Sequence, residues 1–528
     1  MSAGKHTRRS RTIPLLAVAG ALIAAIVVAV ASSNDGSGAV SPALAKPPVI
    51  LLTFDELPVD SLLGTDGRID AARYPNFAAL AAMSTWYPNA ATVHDSTVYA
   101  VPAILDARLA RFRNPATVKG HEESVFTLFG RQGYRVVASE EATAICPRRY
   151  CPHARSSRPP VRKLQRAGRK KRFARWVRSM RPGSPTFFYK HLFLPHGPRV
   201  YLPSGKEVPK PPDSLVGLST TRGYDDRGLT DHNHMRYLLQ LAFADRELGL
   251  LLAQLRRQRL LDQAMIAVAA DHGYAFDVGV SDRRLLTNRN VDEIAPVPLF
   301  IKASGQRQGI VDRAYVRTID IVPTMAAALG LRLHWRHEGR PASDPSVRGR
   351  RGVSLPTRNF KGTVTIGAPA LEQRRRANIR RRARLFGSGA ESKRRYGSPY
   401  SSLYRIGPHR ELIGRKLAGL RKVGRAPASI QVLDARLRQS VNKASSVLPS
   451  RIAGTVLGAP QGARRDIAVA VNGRVRAVGR SLYLIGGRDE LFSVLVPEDS
   501  LRQGRNDVRV YQVSRRGRRL VLALLGRA

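Results

Sequence analysis

Apolar positions along this chain fall into short unbroken runs that stop on residues able to do chemistry. Met265 to Ala270 contains no polar side chain, and Asp271, His272 and Gly273 follow at once. Such a run predicts a strand buried on both faces of a parallel sheet. It delivers an acid and an imidazole at its carboxyl end, the edge at which open α/β sheets bind ligands. Val49 to Thr53 repeats the pattern and ends on Phe54, Asp55 and Glu56. Further strands are predicted over 134–138, 186–192 and 297–302. Helical spacing covers 70–83, 123–130 and 237–255, with Asp245 and Glu247 on the polar side of the last. Thr318 to Leu329 reads as a turn and a short helix closed by Gly330. Strand and helix thus alternate from Val49 to Gly330. That predicts an α/β fold with a largely parallel sheet sandwiched by helices.

Between these elements, residues 89–105 set a polar cluster, His94 to Thr97, against an apolar helix-like run containing Pro102. A hydroxyl at a helix N-terminus sits where backbone N–H groups point outward, which suits a nucleophile attacking an anionic ester. A plain Ser or Thr N-cap gives the same pattern. His196 lies between two prolines in Leu-Pro-His-Gly-Pro and reads as a loop imidazole placed to reach a partner. His191, inside a strand, reads as structural. Asp55, Ser96/Thr97 and Asp271-His272 together offer hard oxygens, a hydroxyl and an imidazole, the donors of a divalent cation beside an activated nucleophile. Asp-His-Gly alone also fits an ordinary strand-to-turn junction.

Beyond Gly330 the pattern changes. Residues 331–447 form a basic connector, Arg-rich over 334–395 and without a clear core pattern, which predicts a mobile or surface-wrapping segment. Residues 448–528 turn β-like. Ile467 to Val471, Asn472-Gly473 and Arg474 to Val478 give a hairpin signal, and the whole predicts a small C-terminal antiparallel β domain. At the other end, Lys5, Arg8, Arg9 and Arg11 in a basic tail (1–11) precede an uncharged run (12–31) long enough to span a bilayer, followed by a small-residue tether (32–48). This predicts an N-terminal transmembrane helix with everything after it extracytoplasmic. A cleaved signal peptide is the rival, although its cleavage-like Ala43-Leu44-Ala45 lies far from the apolar run. In that compartment Cys146 and Cys151 read as a small-loop disulfide rather than a metal site.

Charge adds a further constraint. The 528 residues carry 88 Lys+Arg against 39 Asp+Glu, a formal +49. Such a surface attracts anionic lipid, wall polymer or nucleic acid, and a high-arginine proteome produces the same balance with no partner at all. The arginine cluster at 374–384 lacks the aromatic residues of a nucleic-acid arm. The basic stretch 161–181 reads as a solvated helix or a contact with anionic lipid or polymer.

The motifs, taken in order, resemble the alkaline phosphatase superfamily in its sulfatase-like branch. They are Leu-Leu-Thr-Phe-Asp55-Glu56, Pro75-Asn-Phe-Ala-Ala-Leu, Thr97-Val-Tyr-Ala-Val-Pro102, Leu-Pro-His196-Gly-Pro, Ala-Asp271-His272-Gly273 and Val-Pro-Leu-Phe-Ile-Lys302. The resemblance covers about 49–330. It implies that Asp55, Asp271, His272 and Thr97 hold one divalent metal ion, with Zn, Mn, Mg and Ca all fitting some members. It also implies that Thr97 is the nucleophile, as in phosphoethanolamine and phosphoglycerol transferases, and that His196 contacts a second metal or the substrate phosphate. Two departures matter. No Cys-x-Pro-x-Arg stands at Thr97, which disfavours formylglycine-type sulfate hydrolysis. No histidine follows between Gly273 and Gly330, so one tightly held metal is expected and a second weak or absent. Glu56 either assists or is solvated, and Tyr99 either lines the pocket or packs in the core.

These readings predict a membrane-anchored extracytoplasmic hydrolase or transferase acting on anionic envelope substrates, lipid or polysaccharide phosphoesters (or sulfate esters). The alternative is a non-catalytic envelope-polymer or lipid-binding protein on the same fold.

Overall fold

The computed structural model describes Met1 and residues 46–209, 226–279, 282–458, 460, 462–483 and 487–527. The expected cytoplasmic tail, membrane anchor and most of the tether lie outside the described residues. Among the described residues no helix is long and apolar enough to cross a membrane. Residues 46–528 form one compact unit.

A seven-stranded sheet lies at its centre, made of β1 (Val49–Asp55), β2 (Thr85–Trp86), β3 (Arg135–Ser139), β4 (Thr186–Pro195), β5 (Met265–Ala270), β6 (Leu299–Lys302) and β7 (Ile310–Val311). Their order is β3-β4-β1-β5-β6-β2-β7. The core strands β3, β4, β1 and β5 run parallel. β6 departs from the pattern and pairs antiparallel with both β5 and β2.

Every residue of β1 and β5 is buried, because each face of the sheet carries helices. Ile50, Leu52 and Phe54 pack with helices Pro75–Ala81, Arg169–Arg178 and Arg227–Arg257. The alternate residues Val49 and Leu51 pack with helices Thr97–Asp106, Val125–Arg131 and Ile321–Ala328. The period-2 alternation of a strand thus divides one apolar run between two cores. Register then fixes the site. Val49 lies opposite Met265 and Phe54 opposite Ala270, so Asp55 and Asp271 emerge side by side, and the Asp271 N–H donates to the Phe54 carbonyl at 3.0 Å.

Two helical expectations need correction. The helix expected over 70–83 spans only Pro75–Ala81, because Pro75 at its first position fixes the start. Asp245 and Glu247 are buried rather than solvated. Asp245 accepts the N–H groups of Asn76 at 3.0 Å and Phe77 at 2.8 Å, satisfying the open N-terminus of that helix from a neighbouring element.

The arginine-rich stretch after Gly330 is ordered and packed. It holds the hairpin β8 (Gly352–Pro356) and β9 (Thr363–Gly367), then the 19-residue helix Ala368–Phe386. The hairpin and helix bury Leu355, Ile366, Leu371 and Phe386, and a guanidinium group that a hydrophobic pattern does not reveal adds a further anchor. Buried Arg375 pairs with Asp60 at 2.8 Å and donates to Asn89 and to the Pro88 carbonyl, both at 3.0 Å. The remaining strands form two sheets. β10 (Lys422–Arg425), β13 (Asp466–Val471), β14 (Arg474–Arg480), β16 (Val508–Arg516) and β17 (Arg519–Arg527) make a five-stranded sheet, and β11 (Ser429–Val432), β12 (Arg451–Leu457) and β15 (Glu490–Leu495) a three-stranded one. The first two of these strands in sequence come from the stretch read as connector. At the turn between β13 and β14, Asn472 and Gly473 both have positive φ (50° and 79°), the conformation that Asn-Gly hairpin turns require.

Arg375→Met should lower the urea unfolding free energy by about 3 kcal/mol, because it leaves the Asp60 carboxylate unpaired. Asp60→Asn in the same chain should recover part of the loss. An unchanged unfolding midpoint in the single variant contradicts this anchoring role.

Candidate active site and metal centre

Ligand atoms of Asp55, Asp271 and His272 all lie within 4.8 Å of one another, and all three residues are buried. Two parallel strands in fixed register bring them together. Asp271 Oδ1 accepts the N–H groups of His272 at 2.7 Å and Glu56 at 3.2 Å, which leaves Oδ2 without a hydrogen bond among the described residues. His272 Nδ1 lies 2.9 Å from the Gly273 carbonyl. A carbonyl only accepts, so Nδ1 carries the proton and Nε2 presents its lone pair to the site. Gly273 is required for close approach rather than for left-handed backbone. A Cβ there would stand 2.0 Å from the Glu293 carbonyl oxygen.

Thr97 reaches this group from the opposite side. It is the first residue of helix Thr97–Asp106, and Ser96 in the N-cap position makes no side-chain capping bond. The Thr97 hydroxyl lies 3.2 Å from His272 Nε2. Neither hydroxyl serves as a plain N-cap, and that of Thr97 meets the group at His272.

Electrostatics indicate what the group is built to hold. Both Asp55 oxygens are buried and lack hydrogen bonds among the described residues. Burial, then Asp271 and Glu56, push the Asp55 carboxyl well above the usual range. A cation between these carboxylates removes the penalty. Two carboxylates, one imidazole and one hydroxyl fit a divalent ion and do not choose among Zn, Mn, Mg and Ca.

A second group of residues adjoins the first. Asp55, Glu56 and His196 also place ligand atoms within 4.8 Å of one another. Glu56 is fully buried rather than solvated, with φ 61° at the end of β1. Its carboxylate faces His196 Nε2 at 3.3 Å, Arg284 at 3.6 Å and Arg199 at 3.7 Å. Burial opposes its ionisation, but His196 and the two guanidinium groups outweigh that and hold it below the usual range. Glu56 is therefore compensated within the chain, whereas Asp55 is not. His196 meets the site through Glu56, and no hydrogen bond joins it to Thr97.

Sequence reasoning passed over three of these neighbours. His191, read as structural, stands 3.4 Å from Asp55 Oδ2. Its place as the sixth residue of β4, beside the end of β1, follows from strand register alone. Arg199 and Arg284 left no local signal. The basic stretch 161–181 also contributes to the site. Arg169 is buried and donates to the carbonyls of Phe193 at 3.0 Å, His196 at 2.7 Å and Pro198 at 2.6 Å. It holds the His-Gly-Pro loop from beneath, so this part of the helix is not a solvated face. Tyr99 is half-buried against His94 and Phe360. Cys146 and Cys151 form a disulfide.

The family model for sulfatase matches residues 47–331, more than half of the chain. No curated protein matches. Among solved structures, a phosphonate monoester hydrolase from Silicibacter pomeroyi is similar at 16% identity and TM-score 0.44, covering 58% of this chain and 79% of that one. A phosphonate monoester hydrolase of Agrobacterium radiobacter is similar at 16% identity and TM-score 0.42, with 58% and 80% covered. An alkaline phosphatase superfamily protein from Vibrio parahaemolyticus shows 14% identity and TM-score 0.41, with 61% and 75% covered.

Two outcomes are expected from this site. Elemental analysis of dialysed protein should find one divalent ion per chain, and Asp271→Ala should lose about nine-tenths of it. Full retention in the variant contradicts the ligand assignment. The second concerns acid. His94, His191 and His196 are held down to about 4, by burial first in each case. Their folded values lie below the roughly 6.5 of an unfolded imidazole. As pH falls, the unfolded chain binds protons first. The stability these imidazoles contribute is therefore full above about 6.5 and is lost toward 4, by up to ~1.4 kcal/mol per pH unit for each. In NMR of metal-free protein these three rings should stay neutral from pH 7.5 down to 5. Protonation of any of them near 6.5 contradicts neutral burial.

Proposed function

This chain belongs to the sulfatase family, enzymes of the alkaline phosphatase superfamily, and we propose that it is a metal-dependent ester hydrolase or transferase with Thr97 as nucleophile. The observation that carries the reading is the Thr97 hydroxyl at a helix N-terminus, 3.2 Å from His272 and beside carboxylates that lack partners.

Asp55, Asp271, His272 and Thr97 are the residues that would hold the divalent cation. When bound, the cation supplies a lowered hydroxyl pKa and neutralises charge growing on the ester oxygens. In the first step Thr97 Oγ1 forms a bond to phosphorus as the bond to the leaving alcohol oxygen breaks. The product is a phospho-threonine adduct and an alcohol that takes up a proton. The guanidinium groups of Arg199 and Arg284, beside His196, steady the anionic group or the leaving oxygen. In the second step water releases the adduct, or a sugar or lipid hydroxyl accepts it. Phosphoesters are favoured over sulfate esters because Thr97 stands where a formylglycine enzyme would need cysteine. Three buried carboxylates so close together count against the non-catalytic alternative, which has no use for them.

The same proposal places the site outside the cytoplasm, acting on anionic envelope substrates. Its support is the basic-then-apolar pattern over 5–31, the disulfide and the +49 charge. A nucleic-acid partner has no comparable support.

Compared at full metal occupancy, Thr97→Ala should lower kcat/KM on phosphoesters by about a thousandfold, and Thr97→Ser should keep part of the activity. Mass spectrometry after brief exposure to a phosphodiester should find a phosphoryl group on the peptide containing Thr97. Full activity in the metal-loaded Thr97→Ala protein overturns the nucleophile assignment.

A further inference from the structure

Arg358 stands at the tip of the β8–β9 hairpin, beyond the segment that the family model matches. Its guanidinium meets two carboxylates from different parts of the chain. Nη1 donates to Asp282 at 2.5 Å, and Nη2 lies 3.3 Å from Asp95. Asp95 belongs to the turn that leads into Thr97. It is buried, and its Oδ2 accepts the Leu286 N–H at 2.8 Å. Asp282 and Leu286 bracket Arg284, which faces the Glu56 carboxylate at 3.6 Å. Arg358 thus holds both flanks of the short loop that carries Arg284 into the site, one directly and one through Asp95.

Arg284 has two carboxylates within reach, Glu56 at 3.6 Å and Asp282 at 3.9 Å. On distance alone the two compete almost evenly for its guanidinium. Asp282 is already engaged, however. Its Oδ1 accepts the Arg284 backbone N–H at 3.0 Å, and its Oδ2 takes the Arg358 hydrogen bond. A charge-assisted bond that short is the stronger partner. Burial opposes ionisation of Asp282, but the Arg284 N–H and the Arg358 guanidinium outweigh it and hold the carboxyl below its usual range. The Asp282 charge is therefore met from the hairpin, and the Arg284 side chain is left to Glu56 and the site. Without Arg358, Asp282 would turn to the Arg284 guanidinium and draw it away.

We propose that Arg358 is a positioning residue for the reaction: by neutralising Asp282 it keeps Arg284 directed at the substrate's anionic group. This rests on the role given above to Arg284 and does not require Thr97 to be the nucleophile. It gives a hairpin outside the matched family segment a part in the site. A simple brace and a charge that frees Arg284 differ in one consequence. A brace is weakened further by loss of its second partner. A competing carboxylate does harm only while it is charged, so neutralising Asp282 should undo the loss of Arg358.

Inorganic phosphate titrated into the metal-loaded full chain reads the anion pocket without turnover. Arg358→Gln should weaken phosphate binding about tenfold. Adding Asp282→Asn removes the competing charge and keeps an oxygen for the Arg284 N–H, and should restore affinity to within about threefold of the parent. In an Arg284→Gln background, Arg358→Gln should change affinity by less than about twofold. Arg358→Lys keeps a charge beside buried Asp95, which guards against a folding defect, but lacks the fork that spans two carboxylates. It should weaken phosphate about threefold, again restored by Asp282→Asn. Unaltered affinity in Arg358→Gln overturns the proposal. So does a further loss on adding Asp282→Asn, or a full effect of Arg358→Gln when Arg284 is already replaced. Failure of Arg284→Gln itself to weaken phosphate would remove the role of Arg284 on which the proposal rests.

Discussion

Buried negative charge that the chain does not itself balance is the constraint on which the rest of this structure depends. Among the described residues neither oxygen of Asp55 has a hydrogen bond, and Asp271 and Glu56 stand against it. Several kcal/mol oppose burying an ionised carboxylate without a partner. The fold tolerates the arrangement because a cation bound there turns the same repulsion into affinity. Glu56 shows the contrast within one site. Arg199 and Arg284 already face it, so its charge is met by protein.

Each layer of the molecule acts to hold that charge in place. The register of β1 against β5 sets Asp55 beside Asp271. The close approach of Gly273 to the 293–294 backbone turns the chain so that His272 follows inward. Arg169 and Gln240 grip the His196 carbonyl and so fix the loop opposite. Beyond the matched family segment, helix Ala368–Phe386 adds a brace. Arg375 ties the segment after β1 through Asp60, and Arg381 meets Glu293 at 3.3 Å, next to the carbonyl that crowds Gly273. A few of the arginines in this basic stretch are therefore engaged inside the protein rather than free at its surface.

How far the sequence revealed this depended on which force positioned each residue. Runs such as Met265–Ala270 and Val49–Thr53 are driven by burial and were plain in the pattern, as was the acid or imidazole at each end. The ordered motifs point to Asp55, Thr97, Asp271 and His272; ligand atoms of Asp55, Asp271 and His272 lie within 4.8 Å of one another, and the Thr97 hydroxyl lies 3.2 Å from His272. The partners of Glu56, of His191 and of the basic stretch that holds Arg169 are not legible in the pattern for a common reason. A charged or imidazole side chain reads as solvent-facing or structural until its long-range partner is known, and those partners lie many positions away. In the 331–447 stretch the buried apolar residues, such as Leu371, Ile379 and Phe386, are spaced among many arginines, so no clear core pattern stands out. The antiparallel β6 was missed because a four-residue buried strand carries no mark of direction.

Central to this account is one cation shared by strand ends and a helix N-terminus, and anomalous diffraction from crystals soaked in Mn²⁺ tests it most directly. The account predicts a single strong peak within ligand distance of Asp55, Asp271, His272 and the Thr97 hydroxyl. A map with no peak there, or with the only peak away from Asp55, would contradict it.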